Sequence, residues 1–235
     1  MTQINTKNIS IYFGNQKDSL RQKDVYDFKK FSMLEKKLHA HNLFFLKQTH
    51  SVEVFLLKNT VPDSFKIEGD AIITQAKNIG IGVITADCLP IILHDPINQA
   101  IGIIHAGWQG LATKVITATI QKMHAAFGTK ALQLHAYFGP SAGVCCYEVQ
   151  ADFLTHFPTS VFEKNIIEIR NGQYYFNERL SGLIELLDNH VLADNINTEN
   201  NTCTICTEGF CSARKQKENA GRQPSIALIR NYISN

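Results

Sequence analysis

Three side chains able to bind a metal ion, His50, Cys88 and His105, stand at the ends of short apolar runs. His50 lies in LKQTHSV between two such runs, Cys88 lies in TADCLP between two more, and His105 ends IIHAGW just ahead of Gly107. If the runs are strands, their ends can meet at one edge of a sheet. Two imidazoles and one thiolate make a three-ligand zinc site with a fourth position open to water or an anion. Dispersed ligands have no fixed spacing, and each has an ordinary structural role available. A cysteine between apolar strands is usually a small core residue, and a strand-end histidine is usually a hydrogen-bonded polar one. Two carboxylates tilt the balance toward a metal. Asp87 adjoins Cys88, and Asp70 follows Gly69 at a strand start. In apolar surroundings an unpartnered carboxylate is costly, and both suit the layer of groups that orients a ligating imidazole. Both also suit turns or strand caps. The same residues allow a different chemistry: a Cys88 thiolate with His105 as its base is the pair of a cysteine hydrolase, provided that Cys88 is activated and not metal-bound.

Other groups carry weaker signals. Cys203-Thr-Ile-Cys206 with Cys211 can open a zinc ribbon, but no second C-x-x-C closes one, and Cys145-Cys146 would have to contribute. The expectation is that Cys206 and Cys211 are ordinary thiols. Arg222, in Ala-Gly-Arg ahead of the last strand, can hold a phosphate or carboxylate through its guanidinium fork. Arg214, Lys215, Lys217 and Arg230 read as a solvated basic face. Trp108 is a packing anchor or a stacking wall for a ring. The turn at 139–143, GPSAG, has no P-loop order, and no G-x-G-x-x-G opens a helix after a strand, so a dinucleotide cofactor is not expected.

The elements that must position these residues are short. Apolar runs at 9–13, 43–46, 52–57, 71–74, 81–85, 90–93 and 101–105 read as strands, the central ones apolar on both faces. Ala112, Ile116, Ile120, Met123 and Phe127 recur as one face of a long helix that follows Trp108 and ends at Gly128. Alternation at 132–138 predicts a strand. Runs at 166–169 and 174–176 flank Asn171-Gly172, a hairpin signal. Asn177 caps a second helix carrying Leu180, Leu183, Ile184, Leu187 and Val191. Residues 194–202 read as a loop and 226–229 as a last strand. About ten strands with two or more helices predict an α+β fold with mixed sheets, and no composition shift divides 1–235 into more than one domain.

Composition narrows the classes. Apolar residues make up 44% of the 235, charged residues 19% and aromatics 9%, which fits a globular chain. A net charge of +2, from 23 Lys+Arg against 21 Asp+Glu, argues against a nucleic-acid or anionic-membrane partner. No apolar run reaches the ~18 residues of a membrane span and no cationic start leads into an apolar stretch, so a cytoplasmic protein with thiols or ligands in place of disulfides is expected.

The motifs KQTHSVEV at 47–54, EGDAIIT at 68–74, TADCLPIILHDP at 85–96, AIGIIHAGWQGLATKVI at 100–116, GPSAGVCCYEV at 139–149 and the stretch 203–229 resemble the laccase-domain, or YfiH-like, family. Its members carry the names multicopper polyphenol oxidase, purine nucleoside phosphorylase and peptidoglycan editing factor. The resemblance implies a compact α/β/β/α sandwich similar to cytotoxic-necrotizing-factor-like cysteine hydrolases. It implies that His50, Cys88 and His105 are zinc ligands, with copper as another occupant. It implies phosphorolysis of adenosine, inosine and methylthioadenosine, and deamination of adenosine. The substrates would be a small nucleoside and phosphate, and the protein a monomer or small homo-oligomer. On that basis Cys88, His105 and Asp70 are expected to be catalytic, Asp70 as a proton shuttle. Asp87 and Gln48 are expected around the ligands, and Arg222, Trp108 and Arg214 at the substrate. The alternatives are an editing hydrolase acting on a peptidoglycan precursor, a copper-dependent polyphenol oxidase, and a binding module without turnover. Laccase chemistry needs many clustered histidines, and of the nine here only His39 and His41 are close neighbours. The chain departs from the family pattern at Ser51 (usually Gly), Gln109 (usually Arg), Val144 (usually Pro) and Ala213 (usually aromatic), and Lys215 replaces the second of two paired arginines.

Overall fold

Successive residues of a strand face opposite ways, and here both faces are buried. On Ala100–Ala106, Ile101 and Ile103 enter one core while Ala100, Ile104 and Ala106 enter another. Leu89–Asp95 divides likewise, Ile92 against Ile91 and Leu93. These strands therefore lie inside a sandwich, as their two-sided apolar character predicts. The computed structural model describes residues 2–5, 8–23, 25–158 and 160–230.

One sheet is centred on Gly221–Ile229, which pairs antiparallel with Ile9–Phe13 on one side and Ile79–Thr85 on the other. Asn42–Phe45 adds in parallel beyond Ile79–Thr85. The second sheet runs Ile196–Asn197, His135–Phe138, Leu89–Asp95, Ala100–Ala106, Ala71–Thr74 and Val54–Leu57, with parallel pairs at both edges. The core between the sheets holds Ile11, Phe13, Phe44, Ile81 and Val83 from the first against Ile72, Ile92, Ile101 and Ile103 from the second. The helix Phe28–Lys37 packs Leu34 on the outer face of the first sheet, against Tyr12, Phe45 and Leu228. The helices Val115–Phe127 and Glu178–Asp188 pack Ile116, Ile120, Met123 and Leu186 on the outer face of the second. The layers are thus α/β/β/α with mixed sheets, the architecture expected from the resemblance.

Two of the connections that cross from one sheet to the other carry candidate ligands. Residues 46–53 join Asn42–Phe45 to Val54–Leu57, and residues 86–88 join Ile79–Thr85 to Leu89–Asp95. His50 and Cys88 sit in these crossings, which puts them at the open end of the sandwich.

Several local expectations hold. Asn177 accepts from Leu180 N–H at 3.1 Å as an N-cap, Gly128 ends its helix at φ 72°, and Ile167–Arg170 pairs with Gln173–Phe176 across Asn171-Gly172. Others are corrected. The helix after Trp108 is broken into Trp108–Ala112 and Val115–Phe127, with Lys114 left-handed at φ 71°. The Thr113 hydroxyl bonds back to the Gln109 carbonyl at 2.7 Å and competes with helix continuation there. The strand expected at 132–138 begins at His135, because 131–133 forms a 3-10 turn. The loop at 194–202 contains the short edge strand Ile196–Asn197. The last strand starts five residues earlier than its apolar run, at Gly221. Among the described residues no helix is long and apolar enough to cross a membrane.

His94, on the strand Leu89–Asp95, is buried opposite His135, and its pKa is lowered to about 4 by burial and by His135, with Asp95 opposing. Below its ordinary value of 6.5 the unfolded chain therefore binds a proton that the folded chain refuses. Stability should fall as pH drops from about 6.5 to about 4, by no more than about 3 kcal/mol from this group. Urea unfolding across that range should show a shallower pH slope in His94→Gln than in the parent.

Candidate metal centre

The site is built outward from Asp70. This carboxylate is 1% exposed at the start of Ala71–Thr74. Its Oδ1 accepts from His105 Nδ1 at 2.7 Å and from His50 N–H at 3.0 Å. Its Oδ2 accepts from Thr49 N–H at 3.1 Å and from Ser51 N–H and hydroxyl at 2.6 and 2.8 Å. Burial by itself would raise its pKa. The hydrogen bonds and charge of His105 and the donors of Ser51 outweigh it and hold the carboxyl well below the usual range. One anion thus fixes the 49–51 turn and the His105 ring together. The turn needs that hold, because His50 is left-handed at φ 60°.

With Nδ1 donating to Asp70, His105 offers Nε2 as its free lone pair. The His50 and His105 rings lie edge to face at 4.8 Å between centroids, and Cys88 Sγ is 3.8 Å from His50 Nε2. One nitrogen from each imidazole and the sulfur all lie within 4.8 Å of one another. Gly107 has to be glycine for this approach: a Cβ there would stand 2.9 Å from His50 Cδ2 and 3.1 Å from Cys88 Sγ. Burial, then Glu178 and Asp87, push the Cys88 thiol far up, with Arg222 opposing, and burial lowers His50.

Cys88 follows Asp87, whose backbone is left-handed at φ 90°. Asp87 is held by Thr204 hydroxyl at 2.7 Å, Arg214 N–H at 2.8 Å and, on its carbonyl, Ala142 N–H at 2.7 Å. Gln48 anchors the other crossing: its side chain bonds both the N–H and the carbonyl of Ile84, at 2.8 and 2.9 Å.

The metal-capable groups open into a cavity of about 350 Å³. Arg21, Lys47 and Arg222 line it with Tyr26 and Ala213, and among the described residues no Asp or Glu does. The Arg222 side chain is steadied by the carbonyls of Ala220 and Gly221 at 3.1 and 2.9 Å. A larger hollow of about 780 Å³ adjoins it through Arg21 and Tyr26 but carries none of the three groups.

The multi-copper polyphenol oxidoreductase laccase family matches residues 7–230. The chain belongs to that family. A purine nucleoside phosphorylase of Aquifex aeolicus is 32% identical over 94% of this chain and 93% of its own length. An adenosine deaminase, RL5, from an unknown prokaryotic organism is 30% identical over 92% of this chain and 84% of its own. Among solved structures, YfiH of Bacillus licheniformis superposes with a TM-score of 0.85 at 21% identity, covering 94% of this chain and 93% of that one. YlmD of Geobacillus stearothermophilus gives 0.78 at 20%, covering 95% and 91%.

Of the residues expected at the site, the structure gathers Gln48, His50, Cys88, His105 and Arg222 at one cavity and places Asp70, Trp108 and Arg214 elsewhere. Asp70, expected as a proton shuttle, does not line the cavity. Its oxygens are taken up by His105 and the 49–51 turn. Trp108 and Arg214 line a separate hollow of about 240 Å³ with Phe153 and His156. Trp108 packs on those two rings, at 5.1 and 4.9 Å. Arg214 lies over the Tyr147 ring at 4.7 Å and donates to the Glu148 carbonyl at 2.6 Å. Cys206, expected to be an ordinary thiol, stands in a cluster with Cys145, Cys146 and Cys203, and Cys211 is buried apart from it. Ser51, replacing the usual glycine, adds a hydroxyl donor to Asp70. Sequence reasoning missed Glu178, a fully buried carboxyl whose pKa is raised by burial and Asp87 and whose charge acts on Cys88. Its place after Asn177 reads only as a first-turn helix acid.

Asp70→Asn should weaken metal binding by about 10–100-fold while leaving the fold intact. Gly107→Ala should do so through crowding of His50 and Cys88. Competition with a chromophoric chelator measures both, and parental affinity in Gly107→Ala would refute the packing argument.

Proposed function

We propose that the chain is a zinc-dependent purine nucleoside enzyme, 1–235 acting as one catalytic domain, that phosphorolyses adenosine, inosine and methylthioadenosine and deaminates adenosine. The observation that carries this reading is the composition of one cavity: a His/His/Cys set beside a lining whose charged members, among the described residues, are all cationic. His50, Cys88 and His105 fit zinc by donor type and number, and the Asp70–His105 bond is the outer partner that a zinc-bound imidazole usually has. Zinc bound there would supply Lewis acidity and a lowered pKa for a bound water.

The chain's own residues then do the following. Arg222, with Arg21 and Lys47 adding positive potential, holds phosphate so that its oxygen faces the ribose C1′. Attack breaks the bond to the purine, which leaves as an anion and takes up a proton. Tyr26, stacked on Phe65 at 4.0 Å with Arg21 over its ring at 5.4 Å, forms an aromatic edge of the cavity beside the base. Ala213, where the family pattern has an aromatic, leaves room for the nucleoside. Deamination uses the same cavity without phosphate. It lacks the H-x-E and P-C-x-x-C signature of other zinc deaminases, so its proton carrier is a different group. The relatives named purine nucleoside phosphorylase and adenosine deaminase support this substrate class.

The cysteine-hydrolase reading has Cys88, His105 and Asp70 in the right company. Burial favours the neutral Cys88 thiol, however, and a second imidazole lies on the sulfur at 3.8 Å. The first disfavours a free nucleophile, and the second suits a ligand set, in which a bound cation would offset the cost of the thiolate. Polyphenol oxidation by several coppers is disfavoured because only one of the two metal-capable clusters among the described residues contains imidazoles.

Incubating purified protein with adenosine or inosine, with and without phosphate, tests the reading. Phosphate-dependent release of adenine or hypoxanthine is expected, and inosine from adenosine without phosphate. Cys88→Ala should lose the zinc of this centre and at least about 100-fold in turnover. Arg222→Gln should raise the KM for phosphate by roughly 10–100-fold, the weight of a charge-assisted hydrogen bond. Stoichiometric zinc with no purine turnover would overturn the reading and turn attention to cell-wall precursors.

A further inference from the structure

Four cysteines outside this cavity converge from two distant segments. Cys145 and Cys146 follow the 139–144 turn, and Cys203 and Cys206 open the C-terminal motif. Their sulfurs all lie within 4.8 Å of one another, and Cys145 Sγ stands 3.9 Å from Cys206 Sγ. Around a tetrahedral zinc with Zn–S bonds of about 2.3 Å the sulfurs are about 3.8 Å apart. The set is therefore close to the size of a tetrathiolate zinc site. All four are free thiols in the structure.

Backbone geometry holds one of the four sulfurs. Gly143 N–H donates to Cys203 Sγ at 3.2 Å. An amide donor on sulfur suits a metal-bound thiolate, which accepts strongly, more than a thiol. A Cβ on Gly143 would stand 3.0 Å from Cys145 Sγ and 3.2 Å from Cys203 Sγ, so a side chain there would press on both sulfurs. Arg179 donates to the Ser141 carbonyl at 2.8 Å and lies close enough for Glu178 and then Cys203, Cys145 and Cys206 to act on its guanidinium. Its single positive charge would offset part of the net −2 of a zinc ion with four thiolates.

We propose that Cys145, Cys146, Cys203 and Cys206 bind a second zinc ion as a closed structural site, distinct from the His50, Cys88 and His105 centre. Four protein ligands leave no open position for chemistry, so the ion's work is mechanical. It clamps the 139–146 segment to the 203–206 segment. The two are otherwise joined by backbone bonds of Ser141 to Thr202 and Thr204 at 3.1 and 3.0 Å. Thr204 lies between the two C-terminal ligands and bonds Asp87 beside Cys88, so the clamp also steadies the catalytic crossing.

Elemental analysis tests this without any substrate, so its result is independent of the purine reading. Protein purified under reducing conditions without added metal should carry two zinc ions per chain. The double variant His50→Ala, Cys88→Ala should keep one, and X-ray absorption on it should show four sulfurs at about 2.3 Å with no nitrogen. Cys203→Ser, Cys206→Ser should lose one and keep the other. If that variant fails to fold, the His50→Ala, Cys88→Ala variant decides alone. Absence of zinc from it, iron in its place, or a nitrogen-containing shell would overturn the proposal. So would a parent protein whose four cysteines alkylate as freely before chelation as after it.

Discussion

The structure of the candidate centre depends on one buried anion. Asp70 sits where water cannot solvate it, so its charge is tolerable only if protein donors replace water. It recruits them from two places that are far apart in sequence: the backbone and hydroxyls of 49–51 and the ring of His105. The cost of leaving that carboxylate unpaired is what keeps the 49–51 turn folded with His50 left-handed, and what fixes which nitrogen of His105 is free. The geometry of two metal-capable histidines is thus set by the solvation of a third residue that does not itself face the cavity.

The sandwich explains why these residues meet at all. A strand buried on both faces offers no room for polar chemistry along its length, so charged and ligating side chains collect where strands end. Two of the three metal-capable residues lie where the chain leaves one sheet for the other, and the third ends a strand of the second sheet. Gln48 and Asp87 each hold such a crossing through backbone groups of its neighbours. The cations come from the opposite layer: Arg222 begins the central strand of the first sheet, and Arg21 lies on the short strand paired with it. The cavity is therefore a junction between sheets, its metal-capable groups contributed mainly by crossings and its positive charge by the first sheet.

Much of this was legible in residue order. Two-sided apolar runs, Asn-Gly, the Asn177 cap and Gly128 are local signals, and local physics decided them. The triad was legible as a possibility because ligand types fell at strand ends. What sequence could not supply was which long-range partner each polar residue would find. Asp70 and Asp87 looked equivalent, yet one turned to His105 and the other to Thr204 and Arg214. Trp108 and Arg214 adjoin motif residues but turn to a neighbouring hollow, because aromatic packing on Phe153 and Tyr147 outweighs proximity in sequence. The helix Phe28–Lys37 was missed since Leu34 is its one buried residue and its lysines mask the period. Glu178 was missed because a carboxyl at a helix start is ordinarily solvated, and only the packed tertiary structure removes its water.

The two cysteine-bearing clusters are not mechanically separate. Asp87 accepts from Thr204 with one oxygen and from the Arg214 backbone with the other, and its own carbonyl takes Ala142 N–H. Through Thr204 and Ala142 it touches both segments that carry the four cysteines, and through the chain it adjoins Cys88. A left-handed Asp87 would relax if those donors moved, and Cys88 would move with it. The distance between His50 and Cys88 is therefore set partly by segments that contribute no atom to the cavity. That arrangement gives a physical reason for two clusters of metal-capable residues in one chain: the segments that carry the second bond to Asp87, next to the sulfur of the first.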